Sequence, residues 1–480
     1  MSILKINTKE KHEISPYLYM QFMEPLGTAD SSVDAAWDFV ENDWYPIVVD
    51  ATKDLAPTMI RFGGCFASYY HWREAVGPMS ERVPMINHCW GGLYHNRVGT
   101  HEFLDFCKRV GAEPLLVGNM ESEGLKMWQR PKNDTVRMGT AEEAADWVSY
   151  CNDPDNALRI SHGVREPYGV KYWQVGNETS YTTIGQLGFS AEECYETTAR
   201  FAEAMRRRDD SIKLIGWGDR NKLKEEWAPR MSEVDGIDLL AFHHHFGSGL
   251  PDSPLVGTDY RKDPDETWRH LMNAHVSLDK RIGQLRTLRG NKRLAMTEGH
   301  FMLAGRNRNE VISSWGAGVA YARCHNVIMR HSDVLDIATL ADFCGNVWQC
   351  NALMIPTPMR AEKQCYLQPV GHVMRLFGAH QGKHALELTT NGTVDAVASR
   401  TGNTIYLHLA NTSMTTDETL TLELGQPIES AKMYYIAADP TTEITPCNVD
   451  CFAEQVVAVE GNTLTLPRAA VAAVEITVGA

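Results

Sequence analysis

The stretch "VKYWQVGNE", residues 170–178, runs apolar and aromatic through Tyr172, Trp173 and Val175, then stops at Gly176-Asn177-Glu178. A short apolar run bounded by a glycine turn reads as a buried strand. This one ends by presenting an amide beside a carboxylate.

The pattern recurs on both sides. "LYMQFMEP" (18–25), "DLAPTMIRFGG" (54–64) and "EPLLVGNM" (113–120) precede it, and "IKLIGWG" (212–218), "IDLLAFHHHF" (237–246), "KRLAMTEGH" (292–300) and "LDIATLADF" (335–343) follow. Helical spacing lies between them. "THEFLDFCKRVG" (100–111) ends on a capping glycine, and a further helix falls within 309–332. Thr140 with Glu143 and Ser190 with Glu193 are capping-box pairs opening helices after 140 and 190. Strands that alternate with helices form a parallel sheet. Eight such units predict a closed (β/α)8 barrel over 15–378. No glycine-rich dinucleotide fingerprint follows any strand, which disfavours a doubly wound sheet.

The texture changes near residue 379. "AVASRTGNTIYLHLANTS" (396–413) and the segments after it are short alternating strands separated by Gly, Asn and Pro, predicting an antiparallel β-sandwich over 379–480. The opening strand within 1–14, "ILKIN" (3–7), is expected to join that second domain.

The totals exclude several classes. With 46 basic and 61 acidic residues in 480, the net charge of −15 disfavours nucleic acid as a partner. No apolar stretch approaches membrane length, and the first twenty residues lack a leader pattern, so the expectation is a cytoplasmic protein. The 11 scattered cysteines contain no CxxC and fit reduced thiols. Cys447 and Cys451 have no second pair beside them for zinc.

In a (β/α)8 barrel the active site lies at the carboxyl ends of the strands. Glu178 closes the fourth strand and Glu298 the seventh. Two carboxylates converging there match the pairing that retaining glycosidases need, with one acid/base and one nucleophile roughly 5–5.5 Å apart. Other readings compete. Either Glu caps a helix or pairs with an Arg. His243 and His245 share one strand face and, with a carboxylate, fit a metal-dependent TIM-barrel hydrolase. Trp72, Trp90, Trp128, Trp173 and Trp348 are either core or the stacking surface of a non-catalytic sugar-binding protein.

Longer segments carry a family resemblance. "IRFGGCFASYYHWREAVGP" (60–78), "WGGLYHNRVGTHEFLDFC" (90–107), "WVSYCND" (147–153) and "YWQVGNE" (172–178) resemble conserved blocks of glycoside hydrolase family 51, chiefly retaining α-L-arabinofuranosidases, or of a close sister family of the same clan. The resemblance implies Glu178 as acid/base and Glu298 as nucleophile. It implies sugar contacts from Glu24, Asn177 and Gln364, a buried Arg61 near the nucleophile, Cys65 in the loop after strand two, and Trp90 lining the pocket. His243 matches a family His, and His245 stands where a Tyr bonds the nucleophile. His300 follows Gly299 where the family has other residues. These departures, with the loop at 179–188, leave the sugar open to another furanose or a pyranose. The resemblance further implies a homo-oligomer acting on oligosaccharides without cofactor or metal.

Overall fold

The computed structural model describes residues 2–123, 137–181, 188–305, 307–356 and 365–479. Strand β1 (Ser2–Asn7) comes first. Eight parallel strands then follow one another in sheet order. They are β2 (Gln21–Met23), β3 (Met59–Phe62), β4 (Glu113–Gly118), β5 (Tyr172–Val175), β6 (Lys213–Trp217), β7 (Leu239–Phe246), β8 (Arg293–Phe301) and β9 (Leu335–Ala338). The edges meet. Met20 N–H donates to the Ala338 carbonyl at 3.0 Å, and Ala338 N–H to the Tyr17 carbonyl at 3.1 Å. The (β/α)8 architecture therefore stands as expected.

These strands are nearly continuous in apolar residues because both faces are covered, from inside the barrel and by outer helices. Trp173 and Trp217 are fully buried. The outer layer includes α1 (Pro46–Leu55), α2 (Thr100–Val110), α3 (Ala141–Asn152), α4 (Ala191–Arg206), α5 (His275–Leu288), α6 (Trp315–Arg330) and α7 (Pro369–Ala379). Ser190 and Glu193 form the reciprocal capping box of α4. At α3 only half of the expected box forms. The Thr140 side chain accepts from Glu143 N–H, but the Glu143 carboxylate turns away to His71 at 3.0 Å. A tertiary partner has won over the local one.

Past α7 the chain forms β10 (His384–Thr390), β11 (Val394–Thr401), β12 (Thr404–Asn411), β13 (Glu418–Glu423), β14 (Ile428–Ile436), β15 (Gln455–Ala458), β16 (Thr463–Leu466) and β17 (Val471–Val478). With β1 they make one nine-stranded sheet, folded over a core that includes Leu4, Leu407, Leu420, Leu464 and Ile476. It departs from a purely antiparallel sandwich at one place. Strand β1 pairs antiparallel with β10 but parallel with β13. The sheet docks on the barrel helices through polar contacts. Trp315 Nε1–H donates to the Ala469 carbonyl at 2.7 Å, and Asp395 receives Arg323 and Arg330. No helix among the described residues is long and apolar enough to cross a membrane.

Candidate active site

The carboxyl ends of β2 to β9 surround a cluster of buried polar side chains. Strand β5 ends at Val175. Gly176 then adopts φ +70° and Glu178 φ +52°. A left-handed non-glycine residue costs on the order of 1–3 kcal/mol and persists where its surroundings hold it. Here the turn presents the Glu178 carboxylate to side chains from two other strand ends. His243 Nδ1 lies 2.7 Å from Glu178 Oε1, and the Cys65 thiol donates to Oε2 at 3.9 Å.

Glu298 reaches the same space through a register slip. Strands β7 and β8 pair Phe242 with Met296 but His243 with Glu298. Thr297 is thus an extra residue, a bulge of the kind that re-aims side chains beside active sites. Glu298 becomes the direct neighbour of His243, and the Thr297 hydroxyl sits 3.0 Å from His243 Nε2. One oxygen each of Glu178 and Glu298 and one nitrogen each of His243 and His245 lie within 4.8 Å of one another.

Arg61, on β3, ties the floor together. Its guanidinium donates to Glu298 Oε1 at 2.9 Å, to Asn177 Oδ1 at 2.5 Å and to Gln174 Oε1 at 3.0 Å. Asn177 Nδ2 and His245 Nδ1 are buried without a protein partner. Glu24 accepts from Trp90 Nε1–H at 2.8 Å and from Phe66 N–H at 3.3 Å. Gly64 makes this possible, since a Cβ there would lie 2.0 Å from Glu24 Oε2.

Burial dominates the electrostatics. It raises the Glu178 carboxyl to about 8, opposed by Arg61 and reinforced by Asp219. It raises Glu298 as well, with His243 and Arg61 pulling down and Glu178 pushing up. Glu24 is raised well above the ordinary range by burial and then by the Glu298 charge. Burial lowers His243 to about 4. The His243–Glu178 contact is therefore a hydrogen bond of a neutral imidazole, not an ion pair. Thr297 can donate or accept, so this histidine serves both states of Glu178. A protonated Glu178 donates to Nδ1 while Nε2–H donates to Thr297. An ionised Glu178 accepts from Nδ1–H while the Thr297 hydroxyl donates to Nε2.

The structure brings Glu24, Arg61, Cys65, Trp90, Asn177, Glu178, His243, His245, Glu298 and His300 into this one region, whereas Gln364 and Trp128 lie outside the described residues. His244 points outward to Ser277 of α5, as alternation requires. His245 makes no hydrogen bond to Glu298, although the resemblance implies one from the Tyr whose place it takes. Its ring lies 4.4 Å from that of His300, and Arg61 holds Glu298 instead. Trp72 and Trp173 pack around Trp147 in the core. Sequence reasoning missed Asp219. It follows β6, accepts from Tyr181 at 2.7 Å and is paired with Arg281. Its position just past an apolar strand was the available signal.

A parallel barrel with two buried carboxylates at its strand ends is the framework of a carbohydrate-cleaving clan. The comparisons narrow this. Residues 51–249 match the model of the α-L-arabinofuranosidase 1 domain, and residues 297–470 match that of the α-L-arabinofuranosidase C-terminal domain. The chain belongs to the α-L-arabinofuranosidases of glycoside hydrolase family 51. It is 27% identical over 475 residues to an intracellular exo-α-L-arabinofuranosidase of Bacteroides ovatus, covering 92% of this chain and 83% of that protein. It is 31% identical over 250 residues to an intracellular exo-α-(1→5)-L-arabinofuranosidase of Halalkalibacterium halodurans, covering 49% of this chain and only 46% of that protein. The fold superposes on the α-L-arabinofuranosidase of Thermotoga maritima in its arabinose complex with a TM-score of 0.77 at 22% identity, over 99% of this chain and 100% of that one.

Proposed function

We propose that this protein is a retaining glycoside hydrolase that releases terminal α-L-arabinofuranosyl units from oligosaccharides by double displacement. The observation that carries the reading is the Glu178–Glu298 pair. The two carboxylates have oxygens within 4.8 Å of each other, which suits a retaining pair and leaves too little room for the water of an inverting one. The relatives' names supply the sugar, the exo action and the intracellular setting.

Glu178 is the acid/base. Buried and raised to about 8, it carries a proton at neutral pH and delivers it to the leaving oxygen. Glu298 is the nucleophile. Once Glu178 holds the proton, its like-charge pressure on Glu298 disappears, and Arg61 at 2.9 Å favours the carboxylate. After the glycosyl-enzyme forms, Glu178 takes a proton from the attacking water, with His243 as the hydrogen-bond partner of its other oxygen. The unpartnered Asn177 Nδ2 binds the hydroxyl next to the anomeric carbon, where a hydrogen bond strengthens as the oxocarbenium-like state develops. Glu24, with Trp90 beside it, takes sugar hydroxyls, and His245 offers its free Nδ1. The catalytic region spans 15–378, and the active form is a homo-oligomer.

Two substitutions test the roles. Glu298→Ala abolishes turnover of every substrate. Glu178→Ala retains glycosylation by dinitrophenyl furanosides, and azide accelerates its second step with retention of configuration. Loss of activated and natural substrates alike without azide rescue refutes the acid/base role, and an inverted wild-type product refutes double displacement. Turnover of pyranosides alone refutes the furanose.

The clustering of Glu178, His243, His245 and Glu298 also favours a metal-dependent reading. Both nitrogens of His243 already have partners, Glu178 and Thr297, which makes it a poor ligand. Turnover that persists after exhaustive chelation, measured well below the Tm, separates the two mechanisms.

A further inference from the structure

Behind the pocket, on the far side of His245, lies a second group that the hydrolytic mechanism does not use. His300 comes from the end of β8. Asp342 opens the short strand Asp342–Gly345, which pairs with Asn351–Met354. Asp342 stands in register with Asn351, so Cys350 arrives one residue before Asp342's partner. All three side chains are buried, with Asp342 4% exposed and Cys350 0%. One donor atom from each lies within 4.8 Å of the others.

The hydrogen bonds leave these donors pointed at one another. His300 Nδ1 lies 2.7 Å from the Phe301 carbonyl. A carbonyl only accepts, so Nδ1 carries the ring proton and Nε2 presents a bare lone pair. That lone pair faces Asp342 Oδ1 at 3.4 Å, and Asp342 Oδ1 accepts no hydrogen bond from the protein. With Asp342 ionised, two acceptors oppose each other in a buried site, an arrangement that costs free energy unless a proton or a cation lies between them; burial and the Glu298 charge accordingly push the Asp342 carboxyl well above its ordinary range. The nearby Asp30 does not compensate. Its carboxylate is occupied by the N–H groups of Val347 and Trp348 and by Asn351 Nδ2.

We propose that His300 Nε2, the Asp342 carboxylate and the Cys350 thiolate bind one borderline-soft divalent cation, zinc foremost. The donor set is the argument. Imidazole, carboxylate and thiolate together select zinc over magnesium or calcium. A proton shared between His300 and Asp342 needs no third donor, whereas a cation does, and Cys350 supplies it. The His300 Nδ1–H bond to a backbone carbonyl holds the ring in the tautomer whose Nε2 can bind a metal. Tetrahedral zinc spaces its ligand atoms roughly 3.3–3.8 Å apart, so donors now within 4.8 Å of one another close by at most about 1.5 Å. Three protein donors leave zinc's fourth position to water, and the ion's part here is to hold the fold. It pins β8 to the 342–350 segment and fixes the His300 ring against His245, while the hydrolytic step remains with the carboxylates. This site stands or falls independently of the substrate reading.

The test uses the full chain, reduced and stripped with chelator, then titrated with Co2+ and Zn2+. One equivalent of Co2+ should give tetrahedral visible absorption with a thiolate-to-metal charge-transfer band, and Zn2+ should displace it. Zn2+ should raise the Tm by a few degrees. Cys350→Ser should lose the charge-transfer band, and Asp342→Asn should bind at least tenfold more weakly. Because either variant can fail to fold, zinc X-ray absorption on the wild type provides a second measurement, expected to show one sulfur and otherwise nitrogen and oxygen ligands. A zinc shell without sulfur overturns the proposal. So does a thiolate band unchanged in Cys350→Ser, which places the metal at another cysteine. Absence of both a thiolate band and zinc stabilisation leaves the shared proton as the answer.

Discussion

Replacing Glu178 with Gln removes a group whose ionisation the fold opposes. The carboxyl titrates near 8 in the folded chain against an ordinary value of 4.5, chiefly through burial. Between those two values the unfolded chain ionises Glu178 freely and the folded chain does not. The raised value therefore contributes stability that is fully present below pH 4.5 and is lost as pH rises toward 8. Each unit corresponds to about 1.4 kcal/mol. The loss reaches about 3 kcal/mol at pH 7 and levels off near 5 kcal/mol above pH 8, an order-of-magnitude figure. Glutamine keeps the size and one acceptor but cannot ionise, so it avoids this loss. An unfolding entropy of about 2.1 cal/mol/K per residue over 480 residues makes 1 kcal/mol worth about 1 °C. The variant's Tm, relative to wild type, should thus climb by about 3 °C from pH 4.5 to 7 and by about 5 °C to pH 9. Calorimetry of the two proteins across that range reads the slope, in which any constant offset from altered contacts cancels. A difference that stays flat with pH refutes the buried, proton-holding Glu178 and with it the basis for its acid role.

Turnover should fall on the alkaline side near pH 8 as Glu178 loses its proton. Asp219→Asn should move that limb to lower pH, because the Asp219 charge helps to raise Glu178, as a kcat/KM profile on an aryl furanoside will read. Gly64→Ala should raise KM at least tenfold in steady-state kinetics, since the new Cβ falls 2.0 Å from Glu24 Oε2 and must displace that carboxylate; an unchanged KM removes Glu24 from the sugar site. His245→Phe should lower kcat by an amount equivalent to roughly 1–3 kcal/mol while far-UV circular dichroism stays native, and full activity would show that its unpartnered Nδ1 does not meet substrate.

The barrel was legible because its parallel strands are covered on both faces and so read as continuous apolar runs, each closed by a turn. Glu178 and Glu298 stand out in that setting as charges at the ends of such runs. The bulge at Thr297 was not legible. Register depends on how β7 and β8 pair across some fifty intervening residues, and no local pattern encodes it. The same holds for Gly64, whose necessity appears only once Glu24 arrives from β2, and for Asp342, which finds His300 through tertiary packing. The Glu143 side chain makes the point in reverse. A helix-start pattern predicts a local partner, and His71, brought in by the fold, takes it.

Strand β1 has a consequence for how the molecule is made. Ser2 pairs with Leu420 and Lys5 with Thr389, so this strand, once translated, has no partner until nearly four hundred further residues have been synthesised. At about 5–20 residues per second that is a wait of roughly twenty seconds or more, during which the barrel can assemble while "ILKIN" remains an unpaired, half-apolar edge. The second sheet thus acts as a completion check, since it closes only on a chain that has been translated through to β13. Polypeptides that stall earlier are left displaying an unpaired strand, which chaperones and proteases can recognise.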